Sequence, residues 1–543
     1  MTKPTFFLSI IIVLATLLRL PYLNTHMPSL YGDEIAIGYN ALSIVKTGRD
    51  EFGKWFPLQF ESWGDQKNPI YIYAVALAQL IIGPAPASVR LPSALAGIAA
   101  VYLVYRLVLL LKLGEGTALF SALLLAVTPW HIHISRGGYE ANLALTLGLA
   151  SVYYLLRAKH LTSALFLALS AYTYYTTKLF APALLMLTWV WQSWGTPWRK
   201  LARPLLLYWL MVLVLAVPAL YLAFFAGGQV RFQNINIFVD QTVTPRVERG
   251  RNFFANPQSL LAKVTENRFT YHLADFATYY FDNFSGQFLF VGGDSNLRYG
   301  MSNHGMLYAL DAPLILLGLI LLYSKNRKVW LFLVGWLLLA PIPTSLVGRA
   351  YGLRSLAMLP IPQIFAAYAL YRFFLWSKSS RIRLSLLAVG CLLYATAAAN
   401  WLMRYYFEYP SYGRYWYDGA MFEAIQYAKE RESSYDQIII TQSYGETSMY
   451  YAFYNQLDPR VYRQAKDHKL MVDGVPMIKL GKYYFGDIRP RGPIEQMDLP
   501  PNTLLIVQPL FEYSEGTIRA VDDGHPLFQV FGFPTVLMKA KNP

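Results

Sequence analysis

Asp33 and Glu34 stand side by side in "SLYGDEIAIGYNALS" (residues 29–43), a few residues beyond the first long apolar run of the chain. Further on come Asp65 and Lys67 in "GDQKNP", Arg90 in "SVRLPSALAG", and Arg136 with Glu140 in "HISRGGYEAN". Acids and bases set inside otherwise apolar sequence are costly unless they are paired or functional. Their combined chemistry suits group transfer from a phosphorylated lipid to an alcohol. An acceptor hydroxyl is a poor nucleophile at neutral pH and needs a carboxylate within hydrogen-bond reach to take its proton. A departing lipid phosphate needs positive charge nearby, for which Arg offers a two-pronged donor set and Lys a point charge. No acid is required, because a phosphate leaves unprotonated.

The elements that must hold these groups are membrane helices. Of 543 residues, 55% are hydrophobic, 16% aromatic and only 15% charged, with a mean hydropathy of +0.31; soluble globular proteins carry about a quarter charged residues. The formal charge of +15 comes from Lys and Arg in short clusters between apolar runs, not from one basic face, which argues against nucleic acid as a partner. The single cysteine, Cys391, lies inside an apolar run and excludes an intramolecular disulfide or a thiolate metal site. The run "FFLSIIIVLATLLRLPYL" after Lys3 has no small-residue cleavage site behind it and reads as a retained signal anchor.

Runs long enough to cross roughly 30 Å of hydrocarbon fall near residues 5–22, 91–111, 117–134, 140–157, 161–177, 179–194, 204–225, 306–323, 329–345, 355–376 and 384–401, about eleven in all. The stretch "PIYIYAVALAQLII" (69–82) is shorter, of a length that favours a re-entrant or interfacial segment. If it does not cross, Lys112, Arg157 with Lys159, Arg199 with Lys200 and Arg203, Lys325 with Arg327 and Lys328, and Lys378 with Arg381 and Arg383 all share a side with the N-terminus, the positive-inside pattern. The N-terminus is then cytoplasmic in a multi-pass protein of the cell (plasma or inner) membrane. The outer face receives loop 23–90, the turn at 131–142, the segment 226–305, the turn at 344–354 and everything from about 402 onward. In that last region "AMFEAIQYAKERE" has a helical pattern while "QIIIT" and "TLLIVQ" read as short buried strands. The expected fold class is thus an all-α polytopic membrane protein, 1–401, with a small extracytoplasmic α/β domain, 402–543.

The outer face also narrows the donor. Nucleotide-activated sugars are cytoplasmic, so an outward site must draw its activated group from a carrier in the bilayer, for which a polyprenyl phosphate sugar is the natural candidate. The order of an acidic pair after the first span, then D-x-[HK]-x-P, an Arg opening a helix and "SR" followed by an acid resembles the GT-C membrane glycosyltransferases. Within that class it resembles the dolichyl-phosphate-mannose protein mannosyltransferases and the lipid A aminoarabinose transferases, closely over roughly residues 1–200 and only in topology beyond. The resemblance implies Asp33 as the catalytic acid residue with Glu34 beside it, Lys67, Arg90 and Arg136 at the donor phosphate, and inversion at the anomeric carbon. Asp65 belongs to the second motif. Glu140 stands one residue earlier than the mannosyltransferase acid, so it matches less well.

Plainer readings stand beside these. Asp33 and Glu34 also suit the N-terminus of a helix, Asp65 a helix cap, Lys67 and Arg90 membrane-edge anchors, and Arg136 with Glu140 an i,i+4 pair. His131 and His133 in "HIHIS" would face opposite ways on a helix and share a metal only if extended. His304, in "SNHGML", is a further candidate for substrate or metal. Paired carboxylates can bind Mg²⁺ or Mn²⁺ or work without either, so a divalent cation stays open. The acceptor is an alcohol of protein, lipid or polysaccharide, and membrane lipid is a constant partner. Three rival functions remain: a lipid-linked glycan transporter or flippase, a ligase or polymerase using a lipid diphosphate glycan, and a non-catalytic scaffold. Charges clustered at span ends and the absence of internal repeats weigh against transport.

Overall fold

The computed structural model describes residues 3–27, 29–225, 236–377, 380–442, 445–472, 474–487, 499–500, 502–507, 516–519 and 526–533. Lys378, residues 226–235 of the long segment 226–305, and parts of the C-terminal region lie outside the described residues. By its contacts the chain divides into two compact units, Met1–Pro21 with Ser93–Leu402, and Tyr22–Pro92 with Met403–Pro543.

The first unit is helical, and each of the apolar runs contains a helix. Fewer of them are long and apolar enough to cross a membrane than the hydropathy profile implies. Among the described residues Pro86–Leu110, Arg327–Ser345 and Arg381–Trp416 qualify, with Glu115–Val127 and Pro129–Ser135 as a fourth if that pair, bent by 58°, is one span. Eleven full spans are thus not confirmed among the described residues. The reason is local: Pro129 has no N–H to donate and holds Thr128 extended (φ −62°, ψ 126°), which breaks the 117–134 run. Likewise Pro360 delays the helix of the 355–376 run until Ile361, and the 161–177 run is helical only over the 12 residues His160–Ala171.

Between these helices the glue is small or hydroxylic, as expected where apolar burial against lipid discriminates little. Ser151 Oγ donates to the Ser163 carbonyl (2.7 Å) and Ser163 Oγ returns the bond to the Ser151 carbonyl (2.9 Å), joining Glu140–Leu156 to His160–Ala171. A Cβ on Gly318 would collide with the Phe365 carbonyl, so Asp311–Lys325 and Ile361–Ser377 meet backbone to backbone there.

The second unit joins the first long loop to the C-terminal region. The loop supplies the helices Gly32–Thr47 and Pro69–Ile82 and the hairpin Phe60–Ser62/Asp65–Lys67. Pro69–Ile82 has 14 residues, a length of about 21 Å that falls short of the roughly 30 Å hydrocarbon core, and its Leu77, Leu80 and Ile81 are exposed. The C-terminal part forms a seven-stranded sheet in the order Leu470–Val472, Val475–Leu480, Tyr483–Gly486, Gln437–Thr441, Thr503–Val507, Pro526–Phe533, Gly516–Arg519. Gln437–Thr441 is parallel to both its neighbours, and the remaining pairs are antiparallel. The buried strands QIIIT and TLLIV that the sequence predicts form two of the central positions, with Ile439, Leu505, Val507 and Met477 in one core cluster.

Residues 23–90, drawn from sequence with the membrane part, thus share a compact unit with the chain beyond 403. A Cβ on Gly38 would touch Phe453 and Val89, so the loop helix lies close against both. Fully buried Glu51 accepts from Lys466 Nζ (3.0 Å) and from Asn40 Nδ2 (3.1 Å). Lys466 also reaches Glu446 (3.3 Å), so one ammonium serves two carboxylates.

Candidate active site

Asp33 and Glu34 sit in the first turn of Gly32–Thr47, where the free N–H groups of the helix favour negative charge. Successive residues on a helix point about 100° apart, and the two carboxylates meet different surroundings. Glu34 is fully buried, its Oε1 2.9 Å from Arg90 Nε and its Oε2 3.0 Å from Arg90 Nη2. Its Oε2 also accepts the Tyr31 N–H (3.3 Å), closing the helix start. Arg90, 2% exposed, gives its remaining bonds to the carbonyls of Leu23 (2.9 Å), Met27 (2.5 Å) and Ser29 (2.7 Å). All five guanidinium N–H donors are thereby directed at protein acceptors. The guanidinium also lies 5.6 Å from the centre of the Tyr417 ring.

Asp33 is different. Its side chain is 47% exposed, and its Oδ1 lies 2.5 Å from Nζ of Lys67, whose side chain is only 5% exposed. Lys67 is brought there by the hairpin. Trp63 (φ 56°) and Gly64 (φ 68°) form its two-residue loop with both φ angles positive, the type I′ geometry that suits the twist of a tight hairpin. Lys67 ends the second strand opposite Phe60, just before Pro69 opens the next helix. The Trp63 ring lies where a Cβ on Gly32 would be, so only glycine lets the hairpin close on the acidic helix. Asp65 accepts the Gln66 N–H through Oδ1 (2.8 Å).

Residues without a sequence signal complete this half. The Gly32 N–H donates to Asp418 Oδ2 (2.9 Å), which also accepts from Tyr450 Oη (2.9 Å). Leu30 N–H donates to Tyr454 Oη (3.0 Å), and Ser29 Oγ to the Tyr417 carbonyl (2.7 Å). The C-terminal region therefore caps the helix that carries Asp33.

Arg136, Glu140 and His304 belong to the first unit. Arg136, 5% exposed, directs Nη1 at the carbonyls of Leu18 and Arg19 (both 3.3 Å), the end of the first helix. Buried Arg19 does the same for Glu115–Val127, bonding Ala126 (2.9 Å) and Leu125 (3.3 Å), and places Nη2 2.9 Å from His131 Nδ1. His133 Nε2 instead meets the Arg298 carbonyl (3.0 Å), so the two histidines of "HIHIS" turn to different partners. Glu140 begins the helix Glu140–Leu156. His304 is half-buried, with Nδ1 2.7 Å from the Gly305 carbonyl and its ring against Tyr308 and Trp401.

Two turns of this unit are clasped by Asp294, which accepts the N–H of Gly352 (2.5 Å) and of Asn296 (2.8 Å). Burial pushes its carboxyl up to about 6, with the two backbone donors opposing. A carboxyl raised in the folded state holds a proton that the unfolded chain releases, so this group's contribution is fully present below pH 4 and is lost as pH rises to about 6. The melting midpoint of the wild type, relative to Asp294→Asn, should accordingly rise when the pH is lowered from 7 to 5. A pH-independent difference would show that Asp294 is ionised throughout.

For a divalent cation the acidic pair is a poor fit as it stands, because Arg90 takes both oxygens of Glu34 and Lys67 takes Oδ1 of Asp33. Among the described residues no group of three His, Cys, Asp or Glu side chains converges as a metal set.

Residues 66–222 match the model of the family described as dolichyl-phosphate-mannose-protein mannosyltransferase. A stretch of 146 residues is 35% identical to a protein named as a mannosyltransferase, YycA of Bacillus subtilis (strain 168); it spans 26% of this chain and 21% of that relative. ArnT from Cupriavidus metallidurans, solved with undecaprenyl phosphate, is similar in fold at a TM-score of 0.50 and 14% identity, over 83% of this chain and 84% of that one. AglB from Archaeoglobus fulgidus, an archaeal oligosaccharyltransferase solved with an inhibitory peptide and a dolichol-phosphate, gives a TM-score of 0.51 at 13% identity, over 84% of this chain and 64% of that one. The matched segment carries Lys67, Arg90, Arg136 and Glu140, and the chain shares its fold with these two solved membrane transferases.

Proposed function

We propose that the protein moves a sugar from a polyprenyl phosphate carrier to an acceptor hydroxyl on the extracytoplasmic side of the cell membrane. The observation that carries this is the Asp33–Lys67 pair, a half-exposed carboxylate on a helix N-terminus held by a buried ammonium. In the reaction Asp33 takes the proton of the acceptor hydroxyl as its oxygen bonds to the anomeric carbon. The bond from that carbon to the phosphate oxygen breaks with its electron pair, polyprenyl phosphate departs, and configuration inverts because no sugar–enzyme bond forms. Lys67 turns from Asp33 to the phosphate when donor binds, which frees the carboxylate as a base and meets the growing charge. No step requires a metal.

Glu34 and Arg90 take a different part in this reading from the catalytic and phosphate-binding parts implied by the resemblance. Their bonds to one another and to the 23–29 carbonyls make them the strut beneath Asp33. Arg136 likewise secures the end of the first helix. Asp65, Glu140 and His304 keep in this reading the substrate-binding part that their motifs suggest.

The test is transfer by the full chain in lipid vesicles, with polyprenyl phosphate mannose offered beside a polyprenyl diphosphate sugar. Release of polyprenyl phosphate and inverted product from the first donor is expected, and turnover of the diphosphate donor alone would overturn the assignment. Lys67→Met should lower kcat/KM for the donor about 10- to 100-fold, the worth of one hydrogen bond to a charged group, and leave the acceptor KM unchanged.

A further inference from the structure

The helix Arg268–Asp282, in the long outer segment, is amphipathic in the reverse sense to a helix of a soluble protein. At about 100° per residue, Phe269, Leu273, Phe276 and Tyr280 form one stripe and Tyr271, Asp275, Thr278 and Asp282 lie opposite. Three residues of the polar side are engaged with protein. Asp275 receives both arms of Arg246 (2.8 and 2.9 Å), Tyr271 Oη donates to Glu266 (2.7 Å), and Asp282 accepts the Ala350 N–H (3.2 Å). None of the 15 residues is buried, and Phe269 and Leu273 are 73% and 54% exposed. Neighbouring Phe253, Leu260, Leu261 and Val264 are exposed as well.

The level of this patch is fixed by its ties. Tyr280 Oη donates to the Leu338 carbonyl (2.8 Å), and the Ile237 N–H to the Leu346 carbonyl (3.0 Å). Leu338 lies in the C-terminal half of Arg327–Ser345, one of the helices able to cross the membrane, and Leu346 follows its last residue. The exposed stripe is therefore tied to the C-terminal end of that helix. Arg249, Lys263 and Arg268, all exposed, have stems long enough to keep their charge at the headgroups while apolar neighbours sink.

We propose that residues 253–281 lie in the plane of the membrane surface and bind the bilayer, with Phe253, Leu260, Leu261, Val264, Phe269 and Leu273 immersed at the boundary of headgroups and acyl chains. The segment is an in-plane lipid anchor, and its occupant is the lipid surface, not a protein partner. This holds whichever sugar donor the enzyme uses.

The single native cysteine makes the test direct. In a Cys391→Ser background, Phe269→Cys, Leu273→Cys and Thr278→Cys each receive a nitroxide, and the full chain is reconstituted in phosphatidylcholine–phosphatidylglycerol vesicles. Labels at 269 and 273 should collide with oxygen in preference to a water-soluble nickel chelate, at a depth of about 5–10 Å, while the label at 278 should not. Equal nickel access at 269 and 278 would overturn the proposal. So would a label at 269 shielded from both reagents, which would mean that protein covers the stripe.

Discussion

Asp33→Asn should reduce turnover by about 10²- to 10⁴-fold, the usual worth of a positioned general base, while the protein inserts and binds donor normally. Asn keeps the size of the side chain and an oxygen that can still accept the Lys67 ammonium, but it cannot take a proton. Nothing in the buried strut is touched, since Glu34 and Arg90 bond one another and the 23–29 carbonyls, not Asp33. The thermal midpoint should therefore stay close to wild type. Loss of kcat at constant donor affinity separates a base from a structural acid, and a correctly inserted Asp33→Asn that turned over normally would remove Asp33 from the reaction.

Arg90→Ala should have the opposite profile, a loss of folding in place of a loss of chemistry. It leaves the Glu34 carboxylate fully buried without a counter-charge and strips donors from three carbonyls. Breaking a buried pair from one side costs about 3–5 kcal/mol, a large share of the roughly 5–15 kcal/mol that holds a domain together. Unfolding of detergent-purified protein should show this as a strongly lowered midpoint. Arg90→Lys should recover only part, because three donors on a flexible stem cannot replace a five-donor fork. The double variant Glu34→Leu/Arg90→Met should melt above Arg90→Ala, since no uncompensated charge remains, and its residual activity should keep the wild-type donor KM. A raised donor KM in that double variant at wild-type stability would return Arg90 to the phosphate.

The two acids show how far sequence carries the argument. Hydropathy places them just beyond the first membrane run, and their chemistry limits what they can do. Which of them faces solvent is decided by one residue of helical rotation, and that becomes visible only when the helix start is known. A helix with Glu three residues after its cap is a recognisable signature, but here Tyr31 stands where Ser, Thr, Asp or Asn would announce the cap. Arg90 was legible as a charge at the mouth of a helix; its carbonyl acceptors come from an irregular turn that no pattern encodes. Asp418 had no signal at all, because its partner Gly32 is 386 residues away. The helices themselves were legible as apolar runs, whereas their true lengths depend on breaks such as Thr128–Pro129 that hydropathy averages over.

That 386-residue separation sets a clock on biogenesis. At about 5–20 residues per second, the helix bearing Asp33 leaves the ribosome some 20 to 80 seconds before the segment that caps it. Throughout that interval Gly32 and Leu30 must find water or a chaperone as partner, and both segments must reach the same compartment before they can meet. On the proposed reading, a chain terminated before Asp418 should insert without transferring sugar, and wild-type transfer by such a truncation would show that the cap is dispensable.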